Sequence, residues 1–236
     1  MAEVVDAFPQ LAREFERRGL DYCCGGQRPL GDACVLAGLD PVTTIAELEA
    51  MGAVGVASGT AEWTTMTADV LVDHIEATHH RYLWDEMPRI MALVDKIVAV
   101  HGTRHPELTE IASCFDSLCA DLGPHMLKEE RALFPMIREL ATSMEVPTFH
   151  CGSLRNPISV MLSEHDAVGN LLAKLRLLTD GYTSPADGCA TYIACFAAMG
   201  ELEADTHLHI HKENNVLFPL VTRLEAERAA TVHVRR

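Results

Sequence analysis

No stretch of this 236-residue sequence approaches the roughly 20 consecutive apolar residues that a membrane-spanning helix needs, which argues against an integral membrane protein. The opening MAEVVDAFPQLAREFERRG is amphipathic and lacks the cationic-then-apolar order of a signal peptide, so a cytoplasmic location is expected. Basic residues are also short: 19 Lys and Arg face 34 Asp and Glu, for a formal charge of -15, and no cationic cluster rises above that background. Such a surface repels phosphate backbones and disfavours nucleic acid as a partner. Hairpin signals and alternating β-branched runs are missing too, which leaves little support for a sheet. Eight cysteines are present, but they are spread through a chain long enough to bury its own core, and reduced thiols are expected rather than a disulfide framework.

What remains is helical. With 48% hydrophobic residues the chain can bury one substantial core and carry a small appendage. Ala7 to Gly19 reads as a short helix, followed by the turn DYCCGGQRPLGD, a helix around Ala33 to Ala37 and another over Ile45 to Met51. The small-residue stretch Gly52 to Thr60 reads as a flexible linker. The organisation expected is a small helical domain over residues 1–55, a linker over 56–66 and a bundle over 67–236. Four long helices are predicted in the bundle: Thr67 to His101 with a kink at Pro88; Pro106 to Thr142 with a bend at Gly123-Pro124; Pro157 to Asp180; and Ser184-Pro185 to Ala229. Moderate connections make an all-α, up-down-up-down four-helix bundle the expected fold.

The chemistry lies in a repeat and in the histidines, of which there are twelve. HMLKEERALFP from His125 to Pro135 and HIHKENNVLFP from His209 to Pro219 agree at six of eleven positions, which implies two related halves of one bundle. In each copy His and Glu stand four apart, about 40° from one another around a helix, so both project from one face. That face also carries Leu133, Phe134, Leu217 and Phe218, and therefore borders the core. A bundle-core site needs ligands from the other two helices as well, and these offer His79-His80 and His165. The set closes at four histidines and two glutamates. Two carboxylates in an apolar interior would cost several kcal/mol each without compensation, and two di- or trivalent cations supply it. Nitrogen and oxygen donors disfavour a structural zinc and favour iron, with manganese second.

Alternatives compete at several positions. His79 competes with His80, and His207 and His211 compete with His209 if the register slips, although the Leu-Phe-Pro anchor favours His209. His74, His101, His105, His150 and His233 read as solvated or capping residues. Cys23 and Cys24 beside Gly25-Gly26 read either as unremarkable thiols or as a redox or metal-handling pair. The other six cysteines read as small core or incidental surface residues, and Trp84, Met87 and Met91 as core packing.

In these motifs the chain resembles the repair-of-iron-centres family, hemerythrin-like di-iron proteins with an N-terminal Cys-Cys domain of the ScdA type. DYCCGG at Asp21 to Gly26 is similar to the signature of that small domain, and HMLKEE with LFPMI, ISVMLSEHD at Ile158 to Asp166 and HIHKENNVLFP are similar to the bundle motifs in order. The resemblance implies His80, His125, His165 and His209 as terminal iron ligands, Glu129 and Glu213 as bridging carboxylates, and two non-haem iron ions with an oxo or hydroxo bridge. It implies repair of iron-sulfur clusters after nitrosative or oxidative stress, by binding or reducing NO, as an NO-reducing oxidoreductase, or by donating iron, with Cys23 and Cys24 as redox thiols. Partners would be NO, O2, iron-sulfur client proteins and a second copy in a homodimer. A hemerythrin-like carrier or sensor of O2 or NO without turnover is the alternative, and iron storage a third reading.

Overall fold

A computed structural model of the chain describes residues 1–54, 61–145 and 147–234. The protein is all-α, and among the described residues extended pairing is limited to an isolated bridge between Phe149 and Gly152. In chain order the helices are α1 (Ala2–Ala7), α2 (Ala12–Arg17), α3 (Leu30–Leu36), α4 (Pro41–Val54), α5 (Ala68–Ile75), α6 (Arg81–His101), α7 (Glu107–Lys128), α8 (Phe134–Thr142), α9 (Arg155–Leu178), α10 (Ala190–His211) and α11 (Phe218–Val234). Single π-helical turns, Glu76–His80, Glu129–Leu133 and Lys212–Leu217, join α5 to α6, α7 to α8 and α10 to α11. Helices α5 to α11 therefore make four rods: 68–101, 107–142, 155–178 and 190–234.

Local chemistry explains where these rods begin and stop. Thr67 precedes the first, and its carbonyl accepts the Leu71 N–H at 2.9 Å. Pro106 stands at the N-terminus of the second, where its missing N–H costs nothing. Pro88 and Pro124 lie inside helices that continue past them. The fourth rod starts at Ala190, not at Ser184-Pro185: Pro185 heads a turn in which its carbonyl accepts the Gly188 N–H, and the Cys189 carbonyl takes the first helical bond, from Ile193. The helix expected over Ala7 to Gly19 is split, because Pro9 has no N–H to continue α1 and opens a 3-10 turn instead. Gly19 ends α2 with φ +66°, a conformation that favours glycine.

The chain divides into two compact units. One contains Met1–Asp73, Met136–Asn156 and His207–Arg236. Its core gathers Val5, Phe15 and Tyr22 from the N-terminal segment with Ile137, Leu154 and Val221. Of the sequence read as a linker, Gly52 to Val54 closes α4, residues 55–60 lie outside the described residues, and Ala61 and Trp63 are pinned by hydrogen bonds to the Asp6 carbonyl and carboxylate.

The other unit contains His74–Pro135 and Pro157–Thr206. Leu83, Met87, Ile90, Val94 and Ile97 form the buried stripe of α6, at the three- and four-residue spacing of a core-facing helix. In α9 the stripe is Ile158, Met161, His165, Val168, Leu172 and Leu175, with a histidine standing where an aliphatic side chain would. Each of these aliphatics contributes about 1.5–3 kcal/mol by leaving water. Trp84 and Met91, expected in the core, are instead 36% and 38% exposed, since they fall off the α6 stripe. His101, expected as a solvated or capping residue, is buried at its end.

Candidate metal centre

In the second unit four side chains from three rods meet in the core. His80 closes the first π turn, His125 lies near the end of α7, Glu129 opens the next π turn, and His165 sits mid-way along α9. All are at most 1% exposed. Glu129 Oε2 is 3.4 Å from His80 Nε2 and 3.4 Å from His125 Nε2, and the His125 and His165 Nε2 atoms are 3.0 Å apart. Ligand atoms of His125, Glu129 and His165 all lie within 4.8 Å of one another, the spread of donors around one cation.

An outer layer of carboxylates decides which nitrogens face inward. Glu130 accepts from His80 Nδ1 at 3.0 Å and, on the same oxygen, from the Trp84 indole N–H at 2.9 Å. Glu164 accepts from His125 Nδ1 at 2.9 Å and also pairs with Lys128. In Glu164, burial pushes the carboxyl up, but the hydrogen bonds from Lys128 and His125 outweigh it and hold the group below the usual range. With the Nδ1 proton of each ring directed outward, both Nε2 lone pairs point at Glu129 or at another ring. The His80 and His125 Nε2 lone pairs repel the Glu129 carboxylate at 3.4 Å unless a positive centre lies between them. The residues therefore fit a cation, and imidazole oriented by an outer carboxylate is the arrangement that raises ligand basicity in metal sites.

The first unit carries the second copy of the repeat. His209 Nε2 lies 3.1 Å from Glu213 Oε1, and both residues are buried on one helical face. The neighbouring histidines point elsewhere. His211 Nε2 is 2.9 Å from Asp6 Oδ1, with its ring against Tyr22, and His207 Nδ1 is 3.6 Å from Glu16. Likewise, in the second unit, His79 is held by Asp205 at 2.9 Å while His80 faces Glu129. His74 and His150 are not among the metal-ligating groups of the described residues, and the His233 side chain lies outside them.

The cysteine pair is anchored to the π turn Lys212–Leu217. Asn215 Nδ2 donates to the Cys23 carbonyl at 3.0 Å, and Gln27 donates to Asn215 Oδ1 at 3.2 Å. Asp21 accepts from the backbone N–H groups of Cys24 and Gly25, both at 2.9 Å, and from the Cys23 thiol at 3.3 Å. The two sulfurs are 3.8 Å apart and both thiols are free. Cys23 is buried and Cys24 partly exposed. Hydrogen bonding to Cys24, followed by burial, pushes the Cys23 thiol well above its ordinary range, which leaves Cys24 as the accessible partner. Gly26 is required here: a Cβ at that position would stand 2.6 Å from both Asn215 Oδ1 and the Tyr22 carbonyl.

Several of these residues were not singled out by the sequence reading. Glu130 and Glu164 stand next to proposed ligands, and that adjacency was the available signal. The Asp6 to His211 pair and the π turns had none, because the first joins residues 205 positions apart and the second is a backbone state without a composition cue.

Comparison with known proteins comes to the same regions. The model of the hemerythrin HHE cation binding domain matches residues 71–221, and ScdA_N, a domain of unknown function (DUF542), matches residues 1–52. The chain is 35% identical over 228 residues to the iron-sulfur cluster repair protein YtfE of Musicola paradisiaca (strain Ech703), covering 96% of this chain and 97% of the relative. It is 34% identical over 219 residues to the protein of the same name from Enterobacter sp. (strain 638), covering 93% and 94%. With the protein of that name from Escherichia coli O17:K52:H18 the identity is 31% over the same coverage.

Proposed function

Because this chain belongs to the hemerythrin HHE cation-binding family and carries the ScdA_N domain, we propose that it is a di-iron protein that repairs iron-sulfur clusters. The proposed ligands are His80, His125, His165 and His209, with Glu129 and Glu213 as bridges. The observation that carries this reading is the buried cluster of His80, His125, Glu129 and His165, in which Glu130 and Glu164 turn the Nε2 acceptors of His80 and His125 toward Glu129. The repeated His-Glu turn at His209 and Glu213 supports extending the set to six. We read residues 1–55 as a module that serves the bundle of residues 67–236, in keeping with the two matched segments.

Iron held by such residues supplies reversible electron storage and a position for a small diatomic ligand. Around it, Glu130 and Glu164 hold the Nδ1 protons, the apolar stripes exclude bulk water, and Asn215 fixes the backbone of Cys23. In this reading Cys24, the more exposed thiol, receives NO or iron, while Cys23 stays protonated beside it. The cellular setting is the cytoplasm under nitrosative or oxidative stress.

Metal analysis and visible absorption of anaerobically purified protein test the centre, and NO titration followed by iron transfer to an apo-cluster client tests its use. Bound iron with transfer to the client is the expected outcome. Iron-replete protein that restores no damaged cluster but oxygenates reversibly would identify a carrier instead, and metal-replete protein without iron would overturn the reading altogether.

A further inference from the structure

The second unit contains another pair of reactive side chains, at the end of α6 remote from His80. Cys189 is exposed and immediately precedes Ala190, the first residue of the 22-residue α10. His101, the last residue of α6, is 4% exposed and directs Nε2 at the Cys189 sulfur from 3.2 Å. Twenty residues of helix separate Arg81 from His101, about 30 Å along the axis at 1.5 Å per residue, so this pair does not belong to the His80 cluster.

Hydrogen-bond accounting fixes the state of the pair. Arg104 approaches His101 Nδ1 with Nη2 at 3.3 Å, and a guanidinium can only donate. Nδ1 must therefore be the acceptor, and the single proton of the neutral ring resides on Nε2, facing the sulfur. The sulfur in turn accepts that N–H, with further donation from the Tyr192 and Thr191 backbone N–H groups at the start of α10. His101 and the two backbone N–H groups thus donate to sulfur and favour the thiolate. The His101 hydrogen bond, then the backbone donors, lower the Cys189 thiol to about 7. The surrounding charges are nearly balanced: Arg104 and His105 both lie against Asp187, at 3.4 and 3.0 Å, and His105 also bonds Glu107. Tyr192 closes the other side, edge-on to both imidazoles.

We propose that Cys189 and His101 form a second, metal-independent reactive site, in which the Cys189 thiolate exchanges with small-molecule disulfides. The thiolate attacks one sulfur of the disulfide. A new bond forms between the Cys189 sulfur and that sulfur as the original S–S bond breaks, and the second half departs as a thiolate that is protonated by solvent. Cys189 is oxidised and the leaving sulfur reduced, two electrons in all, and a second free thiol reverses the step. The chemistry suits a protein acting under oxidative stress, since it would record the thiol-disulfide balance on the surface of the bundle.

The test treats full-length, metal-loaded protein with oxidised glutathione and locates the adduct by peptide mass spectrometry. Alkylation with iodoacetamide, followed as a function of pH, gives the thiolate midpoint of each cysteine. The expected result is an adduct at Cys189, abolished by C189S without change in metal content, and a Cys189 midpoint near neutrality. His101→Gln should move that midpoint up by one to two pH units, and Arg104→Met, which leaves the fold's interior untouched, should move it less but in the same direction. At pH 7 the thiolate fraction of the His101 variant would fall about fifteenfold, offset about fivefold by greater intrinsic nucleophilicity, for a net slowing of exchange of about threefold. An adduct confined to other cysteines, or a Cys189 midpoint at the ordinary 8.5 or above, would overturn the proposal. So would identical midpoints in the native, His101 and Arg104 proteins.

Discussion

The two copies of the repeat, His125 to Pro135 and His209 to Pro219, use the same inward residues and put their outward residues to different ends. Inward, each pairs a buried histidine with a buried glutamate four residues on, at 3.4 and 3.1 Å. Outward they diverge. Around the first copy the polar neighbours are carboxylates that orient imidazoles: Glu130 for His80, and Glu164 for His125. In the second copy the corresponding positions hold a different surface. Asn214, in the place of Glu130, donates to the Cys23 carbonyl at 3.4 Å, Asn215 does so at 3.0 Å, and His211, in the place of Leu127, is clamped by Asp6. Lys128 is an exposed partner of Glu164, whereas its counterpart Lys212 is buried over the Trp63 ring, 4.6 Å from its centroid. A duplicated motif thus keeps one chemistry on its core face, while its other face is free to build a polar cradle in one half and a docking surface for the thiol loop in the other.

The comparison breaks first at the shared residues. If both glutamates hold metal as proposed, Glu129→Gln and Glu213→Gln should be equivalent despite their different surroundings, each removing about half or more of the bound metal, because a neutral amide does not offset the charge of a cation. Metal analysis and the visible spectrum check this, and full metal retention in one of the two would end the claim that the copies are functionally paired. Next come the residues peculiar to the first copy. Glu164→Gln and Glu130→Gln leave every proposed ligand in place but weaken the hold on the Nδ1 protons, with an expected loss of metal affinity of about 10–100-fold. Competition with a chelator measures it, and Asn214→Ala, altering the equivalent position of the second copy, should leave affinity within the error of that assay.

How much of this was legible beforehand follows from the same contrast. The inward face was readable because a buried histidine and glutamate at four-residue spacing, repeated with an identical Leu-Phe-Pro tail, is a periodic signal on one helix. The four long rods were readable for the same reason. The outward faces were not. The partners of Asn215 and His211 are set by tertiary packing between segments nearly 200 residues apart, and neither asparagine nor histidine announces such a partner locally. The start of the fourth rod was misplaced by five residues because Pro185 suits a helix N-terminus and a turn equally well, and the Gly188 N–H settles it in favour of the turn. The burial of His101, which reads as a solvated or capping residue, was not legible because its partner, Cys189, is 88 residues away.

The docking surface of the second copy can be broken without touching any proposed ligand. Gly26→Ala places a methyl group 2.6 Å from Asn215 Oδ1 and from the Tyr22 carbonyl, and since a backbone oxygen cannot swing aside, the loop must shift. A cost of about 1–3 kcal/mol is expected, seen as a lower melting temperature, together with faster alkylation of Cys24. Asn215→Ala, which only removes the hydrogen bond to Cys23, should cost about 1 kcal/mol and accelerate alkylation in the same direction.

The smallest effect expected is one of pH, at Asp6. Burial pushes the Asp6 carboxyl up, but hydrogen bonds from His211 and Trp63 outweigh it, so its folded pKa lies below the unfolded value. A depressed carboxyl contributes stability that is fully present above the unfolded pKa, about 4, and is lost as pH falls through the folded one. Native protein should therefore lose stability below pH 4 more steeply than Asp6→Asn, which forfeits about 1 kcal/mol at neutral pH but has no proton to gain. Leu127 gives the first copy no such clamp, and there the depressed carboxyl is Glu164, bonded to His125, rather than an aspartate of the N-terminal segment. Parallel acid titrations of native protein and Asp6→Asn check the steeper loss, and coincident slopes below pH 4 would overturn it.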